Sequence, residues 1–225
     1  WLGLALVATG TLLLQVFFQE LRTSGVAATT GDPDGFDRGF AAIRTLFPAD
    51  TYKGDLTSLF SRIATVDGGD ITLVVPGGLV NAGVASATAI VKRPEELGIV
   101  VQRDGDLEAF VDGDFIVNQS RVFALDGGSI TIWSSRGDID AGRGAKSALA
   151  APPPQVVFDP ASGQFVTVFP PEVAGSGIRN FAPPGVEPGT LFLFAPQGVI
   201  NAGDAGIGSA GNIVLGATDV IGADN

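Results

Sequence analysis

The stretch Gly69-Asp-Ile-Thr-Leu-Val-Val-Pro-Gly-Gly78-Leu-Val-Asn-Ala-Gly83 decides the fold of this chain. The same phrase returns over residues 128–142 and 189–203, and in each copy the two leading glycines are nine residues apart. Weaker copies begin at Gly105 and Gly211. A recurring strand–turn–strand unit is typical of architectures in which successive repeats stack on one another.

Residues within the phrase alternate with a period of two, which indicates β-strands. Ile71 and Leu73 fall on one face of a strand and Thr72 on the other. The position after the second glycine varies, and its tolerance of aspartate predicts exposure; it holds Leu79, Asp138 or Val199. The next position is always aliphatic, which predicts an inward side chain; it holds Val80, Ile139 or Ile200.

The spacing of the copies gives the length of one repeat. Onsets at residues 69, 105, 128, 189 and 211 include intervals of 23 and 22 residues, which we take as one coil. The two longer intervals therefore contain insertions, at about 84–98 and 143–188. In the second insertion, apolar runs at 155–158 and 164–169 flank the turn signal Asp159-Pro-Ala-Ser-Gly163, which predicts a projecting β-hairpin.

Coils of this length with two or three short strands each predict an all-β protein, a parallel β-helix over residues 63–225. A sandwich or barrel is the alternative, but its strands need not share a phrase, so the shared phrase favours the solenoid. Polar residues at one apparent corner predict a ladder of hydrogen bonds between coils; they are Asn81, Asn118, Asp140 and Asn201.

Residues 1–62 are predicted to be a mainly helical segment that packs on or caps the solenoid. Helices are expected at 2–23 and 36–47, with a third helical or turn segment at 56–63. Residues 1–18 are long and apolar enough to suggest a membrane span. Polar interruptions such as Thr9 and Gln15 favour a packed helix instead, so membrane contact is not expected.

Composition excludes several functions. The net charge is −11, from 13 basic and 24 acidic residues, without a long basic run, so nucleic acid is not an expected partner. The chain has no cysteine and no histidine, which excludes thiolate chemistry and removes the commonest general base. It also lacks methionine and begins at Trp1, so we expect a segment of a longer protein.

Several longer phrases resemble the filamentous haemagglutinin family, large bacterial exoproteins secreted by the two-partner route. The phrases that carry the resemblance are residues 18–25, 69–78, 134–146, 175–179 and 201–211. They are similar to a region toward the C-terminal part of such proteins. The resemblance implies a right-handed β-helical filament on or outside the outer membrane. It also implies an outer-membrane two-partner transporter as export partner.

Three groups of residues could carry recognition or chemistry. Arg136-Gly137-Asp138 is an integrin-type tripeptide, although the repeat itself explains Gly137 and Asp138. Asp138 and Asp140 mimic the paired acids of β-helical polysaccharide hydrolases and lyases, although Asp140 aligns with the corner ladder. The acidic residues of the last repeats suggest calcium, but the nonapeptide of calcium-binding β-rolls is absent and solvated turn carboxylates are favoured; they are Asp204, Asp219 and Asp224.

Aromatic residues beside inward positions are expected to face outward. An exposed strip of this kind could bind a glycan or another filament, but cover by the helices or the hairpin is the favoured interpretation; its members are Phe110, Trp133, Phe192 and Phe194.

The sequence therefore predicts a structural and adhesive segment of an extracellular bacterial fibre, secreted to the cell surface. The resemblance implies a role in adhesion, aggregation or biofilm formation, and cell-surface glycans, receptors or neighbouring filaments are the expected partners. We expect no enzymatic activity and no cofactor. The alternative is a β-helical enzyme that degrades polysaccharide.

Overall fold

A computed structural model describes residues 2–49, 51–85, 96–143, 155–159, 163–168 and 175–222. These residues form two helices, α1 (Leu2–Thr29) and α2 (Asp37–Leu46). The strands in chain order are β1 (Leu56–Thr57), β2 (Arg62–Ala64), β3 (Ile71–Val75), β4 (Val80–Asn81), β5 (Gly98–Val101), β6 (Leu107–Val111), β7 (Phe115–Ile116), β8 (Arg121–Ala124), β9 (Ile130–Ser134), β10 (Ile139–Asp140), β11 (Gln155–Asp159), β12 (Gln164–Val168), β13 (Gly177–Asn180), β14 (Leu191–Asn201), β15 (Ile207–Gly208) and β16 (Ile213–Ile221).

The strands form two large parallel sheets. A five-stranded sheet has the order β15-β13-β8-β5-β2. A nine-stranded sheet has two limbs that join in β14. The long limb contains β3, β6, β9 and the first halves of β14 and β16, whereas the short limb contains β1, β4, β7, β10 and the second halves of β14 and β16. This arrangement is compatible with the parallel β-helix that the sequence predicts.

The chain passes through the five-stranded sheet, the long limb and the short limb in turn, and we name each passage a circuit. The first circuit contains β2, β3 and β4, the second β5–β7, and the third β8–β10. The fourth contains β13 and β14, and the fifth β15 and β16. Every strand pairs in parallel with its counterpart in the next circuit.

The predicted register of the repeats is confirmed in the long limb. The first inward residues of successive circuits are direct partners; they are Ile71, Leu107, Ile130, Leu191 and Ile213. In the short limb the predicted inward residues Val80, Ile139 and Ile200 are all fully buried. Stacked aliphatic side chains of this kind form one continuous interior core.

The two helices lie antiparallel on the outer face of the long limb. Their apolar side chains pack with the outward aromatic residues of the strands, so the predicted aromatic strip is covered by the helices; the fully enclosed members are Phe17, Phe18, Leu21, Phe110, Trp133 and Phe194. Small residues allow close approach, since a methyl group at Gly25 would collide with the Phe194 ring and one at Gly39 with the Trp133 indole.

The helical predictions need three corrections. Helix α1 continues to Thr29 rather than ending at Thr23, and its described side chains become buried from Phe17 onward. The segment 56–63, predicted as helix or turn, contains β1 and the start of β2 instead. The boundary between helical and strand regions therefore precedes residue 56, because β1 already pairs with β4 through the Leu56–Val80 register.

The predicted hairpin is present as β11 and β12, which pair antiparallel. Its flanking residues 144–154 and 169–174 lie outside the described residues, as does most of the insertion predicted at 84–98. The insertion predicted at 143–188 ends earlier than expected. Strand β13 has already returned to the five-stranded sheet, where Ile178 pairs with Val122.

Candidate functional site

A polar cleft lies between α1 and the start of the long limb. Its volume is about 600 Å³, and it is open to solvent. The helix contributes Gln15, Val16, Gln19, Glu20 and Arg22, and the strands and their preceding turns contribute Asp70, Asp106 and Glu108. Four carboxylates and one guanidinium therefore share one recess, an arrangement that the sequence analysis did not identify.

Glu108 and Arg22 form the centre of this cleft. The Arg22 guanidinium lies 2.6 Å from Glu108 Oε1 and 3.4 Å from the Thr131 hydroxyl. Both side chains are largely enclosed, with 13% of Glu108 and 24% of Arg22 exposed. Burial raises the pKa of Glu108 above its ordinary value, and the negative charges of Asp106 and Asp70 act in the same direction, whereas Arg22 opposes the shift.

The other two strand carboxylates have structural partners. Asp70 Oδ1 accepts the backbone N–H of Asp106 at 2.8 Å, and Asp106 Oδ1 accepts that of Ser129 at 2.8 Å. The Ser129 hydroxyl accepts the N–H of Thr190 at 3.1 Å in turn. The first three circuits therefore each use a polar side chain before the long-limb strand to accept an N–H of the following circuit. Of the carboxylates in the cleft, Glu108 is the one whose pKa is raised by burial.

We expect the stability of the protein to depend on pH through Glu108. Because the folded state holds this proton more tightly than the unfolded chain, the contribution of Glu108 to stability is fully present below the ordinary Glu pKa of 4.5 and is lost as the pH rises through the higher folded pKa. The replacement Glu108→Gln should flatten that decline. Urea unfolding at pH steps from about 4 to 8 measures the slope.

Glu20→Gln is the matched control for this measurement. Glu20 lies at the surface beside Arg38, whose hydrogen bond lowers the pKa of the Glu20 carboxyl. Its contribution therefore has the opposite sign, being lost as the pH falls. An identical slope in the native chain and in Glu108→Gln would show that burial of Glu108 does not control the pH dependence.

The predicted tripeptide Arg136-Gly137-Asp138 lies at the turn between β9 and β10. Arg136 donates to Asp112 of the preceding circuit, with a guanidinium Nε to Oδ1 distance of 2.9 Å. A methyl group at Gly137 would collide with the backbone at Asp114. Asp138 Oδ1 accepts the N–H of Val199 at 2.8 Å. Each residue of the tripeptide thus has a contact with a neighbouring circuit.

Asp138 belongs to a second column of aspartates, which precedes the short limb. Asp55 Oδ1 binds the N–H of Leu79, and Asp114 Oδ1 binds that of Asp138, each at 2.9 Å. Asp138 is exposed, as predicted. In the same region Asp140 Oδ1 accepts the N–H of Gly142 at 2.7 Å. The pair Asp138 and Asp140 therefore serves backbone amides of two different segments.

Removal of the Asp138 carboxylate should reveal this capping role. Asp138→Ala leaves the Val199 N–H to solvent and should cost about 0.5–1.5 kcal/mol of unfolding free energy. Asp138→Asn keeps a carbonyl acceptor at the same place, so it should retain most of the stability. Chemical unfolding of the three proteins makes the comparison. Equal losses in both variants would indicate that charge, rather than the hydrogen bond, matters at this position.

The predicted corner ladder contains three aligned members and one that is offset. Asn81, Asp140 and Asn201 occupy equivalent positions, because Asn81 and Asp140 both pair with Ile116 and Asp140 also pairs with Asn201. Asn118 lies two residues beyond that column, which corrects the predicted equivalence. Its backbone has a φ of 57°, and its side-chain amide nevertheless donates to Asn81 Oδ1 at 3.0 Å.

The aligned members explain the recurring Asn-Ala-Gly ending. Asn81 and Asn201 each accept the N–H of the glycine two residues later, at 3.1 and 2.9 Å. Gly142 and Gly203 have φ values of 94° and 56°, in the region that favours glycine. A methyl group at Gly142 would also collide with the carbonyl of Asn118. The corner thus combines a side-chain cap with close backbone stacking.

The described acidic residues of the last repeats, Asp204 and Asp219, belong to no cluster of potential metal ligands. Asp219 Oδ1 accepts the N–H of Val220 at 2.8 Å, and Asp224 lies outside the described residues. Within the described ranges no three carboxylates are close enough together to hold a metal ion. In that part of the chain no helix is long and apolar enough to cross a membrane.

The fold and the cleft define a strand-rich protein of stacked parallel circuits with a helical cover. Residues 127–225 match the family model described as "Filamentous haemagglutinin family outer membrane protein". The match confirms, over these residues, the resemblance seen in the sequence. Neither the curated proteins nor the solved structures contain a significant match to the chain.

Proposed function

We propose that the chain is a right-handed parallel β-helix that forms a structural and adhesive segment of an extracellular bacterial fibre. One observation carries the proposal. The strands of successive circuits pair in parallel, and the same register is kept from one circuit to the next. The match of residues 127–225 to the filamentous haemagglutinin family model supports an adhesin-like protein at the cell surface.

The contacts between circuits suggest how such a fibre would resist bending and pulling. Each junction has the backbone ladder of parallel strands, a continuous aliphatic core and a side-chain cap from an aspartate, serine or asparagine. Adjacent circuits lie about 4.8 Å apart, the spacing of neighbouring strands, so many such junctions accumulate along a fibre. Stiffness then comes from the backbone, and outward positions remain available for binding.

Surface contacts in this proposal come from the variable outward positions and the insertions. The hairpin β11–β12 exposes 73% of Phe165, an aromatic side chain of the kind that stacks on sugars or on another filament. We propose cell-surface glycans, receptors or neighbouring filaments as partners in adhesion, aggregation or biofilm formation. An outer-membrane two-partner transporter is the proposed export partner.

Imaging of the native particle tests the fibre proposal. A thin rod with a repeat near 4.8 Å along its axis is expected in electron micrographs and in fibre diffraction. A compact globular particle would contradict the proposal. Mass measurement of the native subunit then distinguishes one long chain from many short chains stacked end to end.

A second function, cleavage of polysaccharide, is favoured by one specific observation. The cleft joins Glu108, whose pKa is raised by burial, with Arg22 and further carboxylates in a recess large enough for a sugar. A carboxyl with a raised pKa is suited to general acid catalysis. This centre differs from the Asp138–Asp140 pair considered from the sequence, because those two carboxylates bind backbone amides.

Turnover assays against pectin-like and bacterial polysaccharides distinguish the two functions. Cleavage that is lost in Glu108→Gln and retained in Asp138→Asn would establish the enzyme and overturn the purely structural function. No turnover in the native chain, together with a rod-shaped particle, would favour the fibre. The two variants differ in one atom at each carboxylate, so both should fold.

A further inference from the structure

Helix α1 runs along the stacking direction of the circuits. Phe17 contacts Phe110 of the second circuit, with ring centroids 5.3 Å apart. Arg22 reaches Glu108 and Thr131 of the second and third circuits. A methyl group at Gly25 would meet Phe194 of the fourth circuit, and Thr29 lies beside Gly216 of the fifth. The C-terminal half of the helix is therefore an axial strap over four circuits.

The N-terminal half of α1 continues in the opposite direction, past the first circuit. Val16 lines the same cleft as Asp70 of that circuit. At 1.5 Å per residue, the helical residues before Val16 extend roughly 21 Å further, which equals about four circuits. Leu12, Leu13 and Val16 are 62%, 50% and 59% exposed. Residues 1–18 contain no charged side chain.

The strand edge beneath this projecting half is open among the described residues. In the nine-stranded sheet β3 is an end strand and pairs only with β6. Two backbone hydrogen bonds show which groups of β3 point toward β6. The Ile71 N–H donates to the carbonyl of Asp106, and the Val75 carbonyl accepts the N–H of Asp112. Because bonding direction alternates along a parallel strand, the peptide groups of Thr72 and Val74 face the other way, toward the open edge. The exposed apolar side chains of Leu12, Leu13 and Val16, which we name the shelf, therefore lie at the same end of the stack as the unpaired edge of β3.

We propose that the projecting half of α1 and the edge of β3 together dock the C-terminal end of another parallel β-helix whose outer face carries no helical cover. The proposal rests on the β-helical arrangement proposed above. The incoming strands would extend the long limb, and their outward residues would pack under Leu13 and Val16. This contact would continue, along the same helix and in the same direction, the interface already formed with Phe110, Trp133 and Phe194.

A second copy of this chain does not fit the docking surface. At its C-terminal end the outer face of the long limb is already occupied. A methyl group built on Gly216 would lie 3.1 Å from a ring carbon of Phe36 and 3.1 Å from the methyl carbon of Thr29. The projecting helix of a neighbour would therefore collide with the α1–α2 turn. The partner must present a bare outer face, with apolar side chains like those of Val74 and Phe110.

An insertion in the full chain supplies such a partner stack in a defined place. A second copy of residues 97–143, which holds the second and third circuits, is inserted with flexible linkers between positions 50 and 51. The chain has no cysteine, so Leu13→Cys provides a unique thiol on the shelf. We expect maleimide labelling of this thiol to be about tenfold slower with the insertion than without it, because the shelf becomes covered.

The matched control carries Phe110→Thr and Trp133→Thr in the inserted copy only, and its labelling should return to the native rate. Equal labelling in both insertion variants would overturn the proposal, as would inserted amides that remain unprotected in hydrogen exchange. Slow labelling in the native chain would also overturn it. In that case, a labelling rate that rises on dilution would identify a second copy as the cover of the thiol. A labelling rate that falls when phosphatidylglycerol vesicles are added would identify a lipid surface. A rod-shaped native particle is observed independently of these rates, so the fibre proposal can survive their failure.

Discussion

Trp133→Ala should lower the free energy of unfolding by about 3–5 kcal/mol, the range measured for truncation of a large buried aromatic side chain. Trp133 is fully buried at the centre of the interface between the long limb and the helices. Its ring centroid lies 5.7 Å from that of Phe36 and 5.8 Å from that of Phe40. Its indole N–H donates to the Ser135 hydroxyl at 3.1 Å.

The loss should be concentrated in the helical cover rather than in the interior of the stack. Without the indole, α2 loses its main contact with the strands and Gly39 faces a cavity, whereas the aliphatic core lies on the other face of β9. Hydrogen exchange should therefore show faster exchange in α2 and in the C-terminal half of α1 than in β6 and β9. Urea unfolding followed by circular dichroism gives the total loss.

Phe165→Ala is the matched control, since it also truncates an aromatic side chain but one that is 73% exposed. We expect its effect to stay within about 0.5 kcal/mol. A Trp133→Ala protein as stable as this control would show that the helices do not depend on the aromatic interface. Uniformly faster exchange in all circuits would instead show that the cover and the stack unfold as one unit.

The sequence predicts the stack well because its signal is local and repeated. The register of Ile71, Leu107 and Ile130 follows from counting residues after a glycine, and the structure places these three side chains in one column. The same counting also reveals the offset of Asn118, which stands five residues after Gly113. Asn81 stands only three after Gly78. Strand β1 was missed because two residues, Leu56 and Thr57, carry too little periodicity to indicate a strand.

The cleft could not be predicted in the same way. Arg22 and Glu108 are separated by 86 positions, and nothing in the spacing of either residue indicates that α1 runs along the second circuit. The contacts of Gly25 and Gly39 with aromatic rings likewise depend on where the helices dock. Glu108 occupies an outward position that is polar in the first three circuits, so the repeat alone assigns it to solvent. Its burial arises from the helix, which is not part of the repeat.

Ile200→Asp should prevent stable folding, whereas Val199→Asp, one residue earlier, should change stability by no more than about 0.5 kcal/mol. Ile200 is fully buried in the column that also contains Ile139 and Val220. A carboxylate placed there would have no cation and no donor, and an unpaired buried charge costs far more than a protein of this size can compensate.

Val199 occupies the variable position of the same phrase, where the previous circuit carries Asp138. An aspartate at 199 would have the geometry of Asp138 itself, whose carboxylate binds the N–H of the residue above it. Soluble expression, circular dichroism and urea unfolding of the two variants provide the comparison. If Ile200→Asp folds with native stability, position 200 does not face a packed interior; if Val199→Asp also unfolds, the outward position does not tolerate charge. Either result would contradict the assignment of alternate residues to core and surface, on which the stacked arrangement depends.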